Sequence, residues 1–260
     1  MLNEYLRTAV QAVESSGKIL KEYFEKLHDF KQKNQNLRDL VTEVDILSEK
    51  NIKQRIIENH PNHNVIGEET GELGRRSRYC WHVDPIDGTV NYSQGIPMCA
   101  VSVGLEENGE IIASAVYNPF TEELFFASKG EGAFLNGQQI EVSDKSRFDS
   151  GLYVAAFSSD IGEGKKKEYE IFGEINDLTR GVLRIGSAAL SLAYLACGRI
   201  DGFWSKGLFS WDLAGGIQLV KEAGGKITGP AGKSYEFSEV ILIASNGLLH
   251  DDLISTLEGL

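Results

Sequence analysis

Positive charge is the scarcer kind in this chain of 260 residues: 26 Lys and Arg stand against 38 Asp and Glu, a formal net charge of −12. That sign works against any affinity gained by neutralising the phosphates of a nucleic acid or an anionic membrane, so neither partner is expected. Cysteine is scarce as well. Cys80, Cys99 and Cys197 are odd in number, far apart and flanked by apolar residues, which reads as free thiols in a reducing compartment and not as a disulfide framework. No stretch approaches the ~20 apolar residues of a membrane span, and nothing near Met1 joins a basic start to an apolar run, so the expected location is cytoplasmic. With five prolines in all, there is no proline-rich linker, and no internal repeat is visible. A boundary between halves 1–145 and 146–260 of a single unit is expected near Gly130–Ser150.

What the chain does contain is material for a core: 42% hydrophobic residues, 9% aromatic and 25% charged, unlike a disordered sequence. The length suits one large domain or two halves sharing a core. Leu2, Leu6, Val10, Val13, Leu20, Phe24 and Leu27 recur near a helical period, which predicts an amphipathic first helix of about 25 residues. Asn34–Asp39 is polar and irregular. Thr42 then opens a second helix with Leu47, Ile52 and Ile56 on one side, ending near Pro61. Tyr79–Asp84 reads as a short buried strand, and Met98–Leu105 and Ile111–Tyr117 as a hairpin about Asn108-Gly109, with Leu124–Ala127 as a third antiparallel strand. Further along, Leu152–Phe157 is a strand and Lys165–Lys167 a polar stretch. Ala188–Cys197 is a nearly all-apolar helix stopped by Gly198, and Leu213–Ala223 is a helix stopped at Gly224-Gly225. Ile200–Trp204 and Val240–Ala244 are strands. Strands in runs with helices between them predict a layered mixed α/β or α+β domain.

The residues that carry chemistry are acidic and stand after strands or at helix starts. Glu68 and Glu69, in Gly67-Glu-Glu-Thr70, follow the strand-like Asn64-Val65-Ile66, and on their own they read as a solvated turn. Asp84 and Asp87 lie in Asp84-Pro-Ile-Asp-Gly-Thr89. Asp84, at the end of a buried strand, faces desolvation unless it is paired or holds a cation. Pro85 stiffens the turn that aims both carboxylates. Gly88 admits a close ligand, and Thr89 puts a hydroxyl where a helix start can meet an anion. A Pro-Asp-Gly turn with an N-cap accounts for the same residues. Aspartyl-nucleophile phosphatases separate their aspartates by a single residue; here two intervene, a spacing better suited to carboxylates sharing cations. Asp212, before Leu213-Ala-Gly-Gly216, falls where an N-cap belongs, and the small residues after it invite close approach by a backbone or a ligand. Thr42 and Asp45 have the spacing of a capping box. If Asp45, Glu68, Glu69, Asp84, Asp87 and Asp212 meet, each pair of charges about 4 Å apart repels by about 4 kcal/mol at an effective dielectric of about 20. Cations are then required, and oxygen-only donors select Mg²⁺ or Mn²⁺ over zinc.

The motifs Asp39-Leu-Val-Thr-Glu-Val-Asp45, Gly67-Glu-Glu-Thr70, Trp81-His-Val-Asp-Pro-Ile-Asp-Gly-Thr-Val-Asn91, Gly186-Ser-Ala-Ala189 and Trp211-Asp-Leu-Ala-Gly-Gly216 span almost the whole chain. In order and spacing they resemble the inositol monophosphatases, within the lithium-sensitive Mg²⁺-dependent phosphatases that include fructose-1,6-bisphosphatase. Gly130–Gly137 and Ala223-Gly-Gly225 look like the bacterial members. The resemblance implies an α+β fold layered αβαβα, one catalytic unit over 1–260 with its active site where the halves join, and a homodimer inhibited by lithium. It implies hydrolysis of a small phosphomonoester, an inositol-1-phosphate-like polyol or a sugar phosphate, by metal-activated water without a phosphoenzyme. Carried over residue by residue, Glu68, Asp84 and the Ile86 carbonyl would hold one Mg²⁺ and Asp84, Asp87 and Asp212 a second, with Glu68 sharing a weaker third; Mn²⁺ could substitute. One cation would acidify water and the other would stabilise the leaving alkoxide. Thr89 and Asp45 would orient and deprotonate the water, and the Gly88 and Thr89 N–H groups would receive phosphate. Asp87, Gly186, Ser187 and Ala188 would meet the polyol, and Glu69 would be a supporting acid.

Two positions depart from the family. Ser205 stands where a glutamate would hydrogen-bond the sugar hydroxyls, so fructose-1,6-bisphosphate, histidinol phosphate and 3′-phosphoadenosine nucleotides stay open as substrates, as does a non-catalytic regulatory role. A lysine often found before the Asp45 motif is off by one, with Asn34 at its place and Lys33 beside it. His82, between Trp81 and Val83, reads as a satisfied core histidine in preference to a ligand.

Overall fold

A computed structural model of the chain describes residues 3–24, 30–32, 40–157 and 164–258. Helix α1 (Glu4–Tyr23) is followed by a two-stranded ribbon, β1 (Phe30–Gln32) and β2 (Leu40–Thr42), and by α2 (Glu43–Asn59). Next come β3 (Asn64–Gly67), β4 (Gly71–Glu72), β5 (Tyr79–Asp87), the short α3 (Thr89–Ser93), β6 (Ala100–Glu107), β7 (Glu110–Asn118), β8 (Glu123–Ser128), β9 (Gly132–Leu135) and β10 (Gln138–Ile140). The rest of the chain supplies β11 (Leu152–Phe157), α4 (Gly164–Leu178), β12 (Gly181–Leu183), α5 (Ala188–Ala196), β13 (Gly202–Lys206), α6 (Ser210–Glu222), β14 (Lys226–Thr228), β15 (Ile241–Ser245) and α7 (His250–Thr256). The larger sheet runs β10-β9-β8-β7-β6-β5-β3-β4 and is antiparallel except for β3 beside β5. In the smaller sheet, β12-β11-β13-β15-β14, strand β11 is parallel to both neighbours and β15 antiparallel to both of its own.

Each helix lies where its apolar residues meet a sheet. Leu6, Val13 and Leu20 of α1 and Ile52 and Ile56 of α2 pack with Trp81, Val103 and Ala115 on one face of the larger sheet. Helices α5 and α6 fill the space between the sheets, where Leu190, Leu192, Leu213 and Leu219 meet Val116 and Phe125 on one side and Val154, Phe203 and Leu242 on the other. On the outer face of the smaller sheet, Ile171 and Ile175 of α4 and Leu253 of α7 cover Tyr153, Trp204 and Ile243. The result is the αβαβα order of an α+β sandwich. A helix with a sheet on both sides can be apolar all round, which is why α5 reads as it does; burying each of its leucines contributes about 1.5–3 kcal/mol. The small run in α6 serves the same packing. A Cβ on Gly215 would stand 2.2 Å from Ser102 Oγ and one on Gly216 2.3 Å from Leu192 Cβ, so the close approach is to a strand and a helix, not to a ligand.

Several expectations are corrected. Lys165–Lys167 is the first turn of α4, whose Ile171 and Ile175 are buried. Leu47 faces outward, 44% exposed, while the buried residues of α2 are Val44, Asp45, Ser48, Glu49, Ile52, Lys53 and Ile56. Helix α6 begins at Ser210, so Asp212 is not its N-cap; from the third position its Oδ2 accepts the Phe209 N–H at 2.7 Å. Strand β5 continues to Asp87, and β9 with β10 forms a hairpin that was not anticipated. Leu2, Leu27, Lys33 and the segment Asn34–Asp39 lie outside the described residues. The three cysteines form no disulfide. Among the described residues no helix is long and apolar enough to cross a membrane.

Candidate active site

Residues three apart on a regular strand point to opposite faces, yet Asp84 and Asp87 act together. Their pairing with β6 slips: Asp84 stands opposite Ser102 and Asp87 opposite Ala100, so β5 carries one extra residue and a bulge restores both carboxylates to one side. Pro85 has no N–H to give the ladder. The Asp84 Oδ1 takes the Ile86 N–H at 3.0 Å, and Ser48 Oγ donates to the Pro85 carbonyl at 3.2 Å, which fixes the bulge from both sides.

The first turn of α6 completes the group. Carboxylate oxygens of Asp84, Asp87 and Asp212 lie within 4.8 Å of one another, with Asp84 1% and Asp87 6% exposed. Burial pushes the Asp84 carboxyl well above its usual range, and the charges of Glu68, Asp87, Asp212 and Asp45 push it further. Asp87 is raised to about 6, again by burial, against the lowering effect of hydrogen bonds from Ser187, Ala188 and Ala189. Glu68 and Asp45 therefore stand within electrostatic reach of Asp84. A set of mutually repelling carboxylates, with Asp84 and Asp87 buried, Asp212 half-buried and oxygen as the only donor atom, fits a hard divalent cation such as Mg²⁺.

The start of α5 meets this group directly. Asp87 accepts the Ala188 N–H at 3.0 Å, the Ala189 N–H at 2.7 Å and the Ser187 hydroxyl, while Ser187 Oγ also accepts the Leu190 N–H at 3.2 Å and so caps the helix. Here the residues expected at the polyol hold Asp87. Thr89 Oγ1 donates to the Ile86 carbonyl at 2.9 Å. Gly88, with φ of 99°, precedes α3, and Asn91 ties α3 to the Gly186 segment by donating to the Ile185 carbonyl at 2.8 Å. His82 is buried between Ser210 Oγ at 2.8 Å and Glu106 Oε2 at 3.0 Å, a satisfied core histidine.

A cleft of about 680 Å³ opens beside these residues, with Asp87, Asp212, Ser187 and Gly186 on one side and Phe157 and Arg184 on another. The Arg184 guanidinium lies 5.0 Å from the Phe157 ring centroid and Lys165 Nζ 5.4 Å from it. Sequence reasoning missed both cations, and the one signal was Arg184 standing two places before Gly186. Ser205 is 1% exposed and does not line the cleft, although its parallel neighbour Ala156 does. Glu69 is half-buried, and its N–H is bonded to Glu49.

Comparison with known proteins agrees with this architecture. The profile of the Inositol monophosphatase family matches residues 1–260. An inositol-1-monophosphatase of Synechocystis is 37% identical over 257 residues, covering 98% of this chain and 89% of that one. A protein of Aquifex aeolicus named fructose-1,6-bisphosphatase/inositol-1-monophosphatase is 37% identical over 97% of this chain and 95% of its own. Among solved structures, the extragenic suppressor protein suhB of Bartonella henselae superposes with a TM-score of 0.92 at 34% identity, covering 98% of both chains. Fold and relatives together define a phosphomonoesterase on an α+β sandwich. The chain belongs to the inositol monophosphatase family.

Proposed function

We propose that this chain hydrolyses a small polyol or sugar phosphate in a Mg²⁺-dependent reaction, as one catalytic unit whose site joins β5 to the starts of α5 and α6. The observation that carries this reading is the triad of Asp84, Asp87 and Asp212, within 4.8 Å of one another, with Asp87 and Asp212 lining a cleft. Glu68, Asp84 and the Ile86 carbonyl would hold one Mg²⁺, Asp84, Asp87 and Asp212 a second, and Glu68 a share of a third. When bound, the ions supply charge that neutralises phosphate oxygens and lowers the pKa of water. The chain does the rest. Asp45, fully buried at the start of α2, takes the proton that the attacking water passes through the Thr89 hydroxyl. The Gly88 and Thr89 N–H groups hold the phosphate, and Asp87, steadied by Ser187 and Ala188, orients the alcohol that leaves. Phosphate release from a panel of phosphomonoesters is expected in Mg²⁺ and not in EDTA. Full activity in EDTA overturns this reading, and no release from any ester favours a binding role.

A second reading has its own observation. Arg184 is exposed on the cleft wall, and among the described residues no carboxylate pairs with it; position 205 meanwhile presents no acid to a polyol. A sugar bisphosphate would place its second phosphate there. Arg184→Gln is expected to lower kcat/KM for a bisphosphate by about 10- to 150-fold, the value of one charge-assisted hydrogen bond of about 1.5–3 kcal/mol, with a monophosphate almost unaffected. Equal losses on both substrates exclude this assignment.

A further inference from the structure

We infer that Glu49 and Lys53, a buried ion pair on α2, are positioning residues that set the place of Glu68 beside the aspartates; the inference rests on the Mg²⁺-dependent reading above. Asp45, Glu49 and Lys53 follow one another at four-residue steps and so share one face of α2. None is exposed to water, at 0%, 0% and 7%. The side chains of Glu49 and Lys53 converge on one loop. Glu49 Oε2 accepts the Glu69 N–H at 2.6 Å, and Oε1 accepts the Thr70 N–H at 3.0 Å and the Thr70 hydroxyl. Lys53 Nζ sits 3.0 Å from Glu49 Oε1 and donates to Thr70 Oγ1 and, at 2.7 Å, to the Gly71 carbonyl.

All these bonds fall on residues 69–71, directly after Glu68, whose own N–H is held by the Val83 carbonyl at 3.3 Å. The loop is thus pinned to α2 on one side and to β5, which carries Asp84 and Asp87, on the other. Gly67 makes room for the clamp: a Cβ there would stand 2.4 Å from the Glu49 carboxyl. Burying an ion pair costs desolvation, and well-packed apolar residues in its place are often neutral or stabilising, so stability alone does not account for the pair. What it adds is direction. Two N–H groups, a hydroxyl and a carbonyl of one loop are each met by a charge, and Glu68 is left between that loop and its bond to Val83, the residue before Asp84.

The test compares Glu49→Gln, the charge-free double variant Glu49→Gln/Lys53→Met and the milder Thr70→Val with the wild type. Ile56→Val serves as a control that loosens the same helix away from the loop. Mg²⁺ affinity is measured by calorimetry, melting temperature is taken without metal, and phosphate release is followed against Mg²⁺ concentration. The expected result is Mg²⁺ binding weakened by about 10- to 100-fold in the Glu49 variants, the range seen when a residue orienting a metal ligand is lost. Thr70→Val gives a smaller loss in the same direction, and the Mg²⁺ needed for half-maximal release rises in parallel. Ile56→Val lowers the melting temperature and leaves Mg²⁺ affinity alone. Should the double variant, or Thr70→Val if the others do not fold, bind Mg²⁺ within twofold of wild type, the pair is only a structural tie. A wild type that binds no Mg²⁺ overturns the underlying reading as well, so the two failures are told apart.

Discussion

Asp84→Asn is expected to lower phosphate release by more than about 100-fold, the scale on which removal of one preorganised charge-stabilising group acts, while the metal-free protein stays folded. Asp84 is common to both ligand sets assigned above and lies at the centre of the like charges from Glu68, Asp87, Asp212 and Asp45. Its loss therefore disables both sets at once and also relieves repulsion in the empty cluster. The variant should melt no lower than the wild type without metal and respond far less to Mg²⁺. Initial rates and melting curves measured on the same preparations check both halves. Activity within tenfold of wild type contradicts the role given to Asp84.

Mg²⁺ itself is expected to raise the melting temperature of the wild type, because a ligand of the native state alone contributes about 2.7 kcal/mol at a hundredfold excess over Kd. For a chain of this length that corresponds to about 5–10 °C. The gain depends on pH with a definite sign. The folded Asp87 carboxyl titrates at about 6, above its ordinary 3.8, so the metal-free fold holds that proton more tightly than the unfolded chain does. This contribution is complete below about pH 4 and is lost as pH rises through about 6, leaving the empty site about 3 kcal/mol worse off from this one group. The melting temperature of metal-free wild type relative to Asp87→Asn should fall across that interval, while the benefit of Mg²⁺ grows. A difference between the two proteins that is flat with pH counts against the assignment. Measuring it as a difference also removes His63 and His250, each lowered to about 4 by burial, whose titration runs the other way.

Those features written in local periodicity were legible without a structure. Leu152–Phe157 and the hairpin about Asn108-Gly109 stand where the alternation puts them, and the apolar helix from Ala188 is the one held between two sheets. Helix α4 was obscured because its first turn is a run of lysines, so that Ile171, Phe172 and Ile175 were not read as the helical face they form. Leu47 went wrong for a related reason: the buried side of α2 is largely polar, with Asp45, Ser48, Glu49 and Lys53 on it, and hydrophobicity is a poor guide to a face built for charges. The grouping of Asp84, Asp87 and Asp212 followed from motifs, whereas the bonds from Glu49 to Glu69 and Thr70 and the stacking of Arg184 on Phe157 depend on pairings between distant segments. No local pattern marks such pairings.

The slipped pairing of β5 against β6 bears on how this segment tolerates changes of length. With two residues between them, Asp84 and Asp87 share a face only because the strand carries one residue more than its partner. Losing one of the two would let the ladder close into a regular strand, with alternate positions on one face and both carboxylates still together. Gaining one would make the spacing four, which in a regular strand keeps both carboxylates on one face but sets them about 13 Å apart along it, too far to meet. Deletion and insertion are therefore unequal here. A lineage drifting in this loop can shorten it and keep a pair of acids in place, but it cannot lengthen it by a single residue without dismantling the pair.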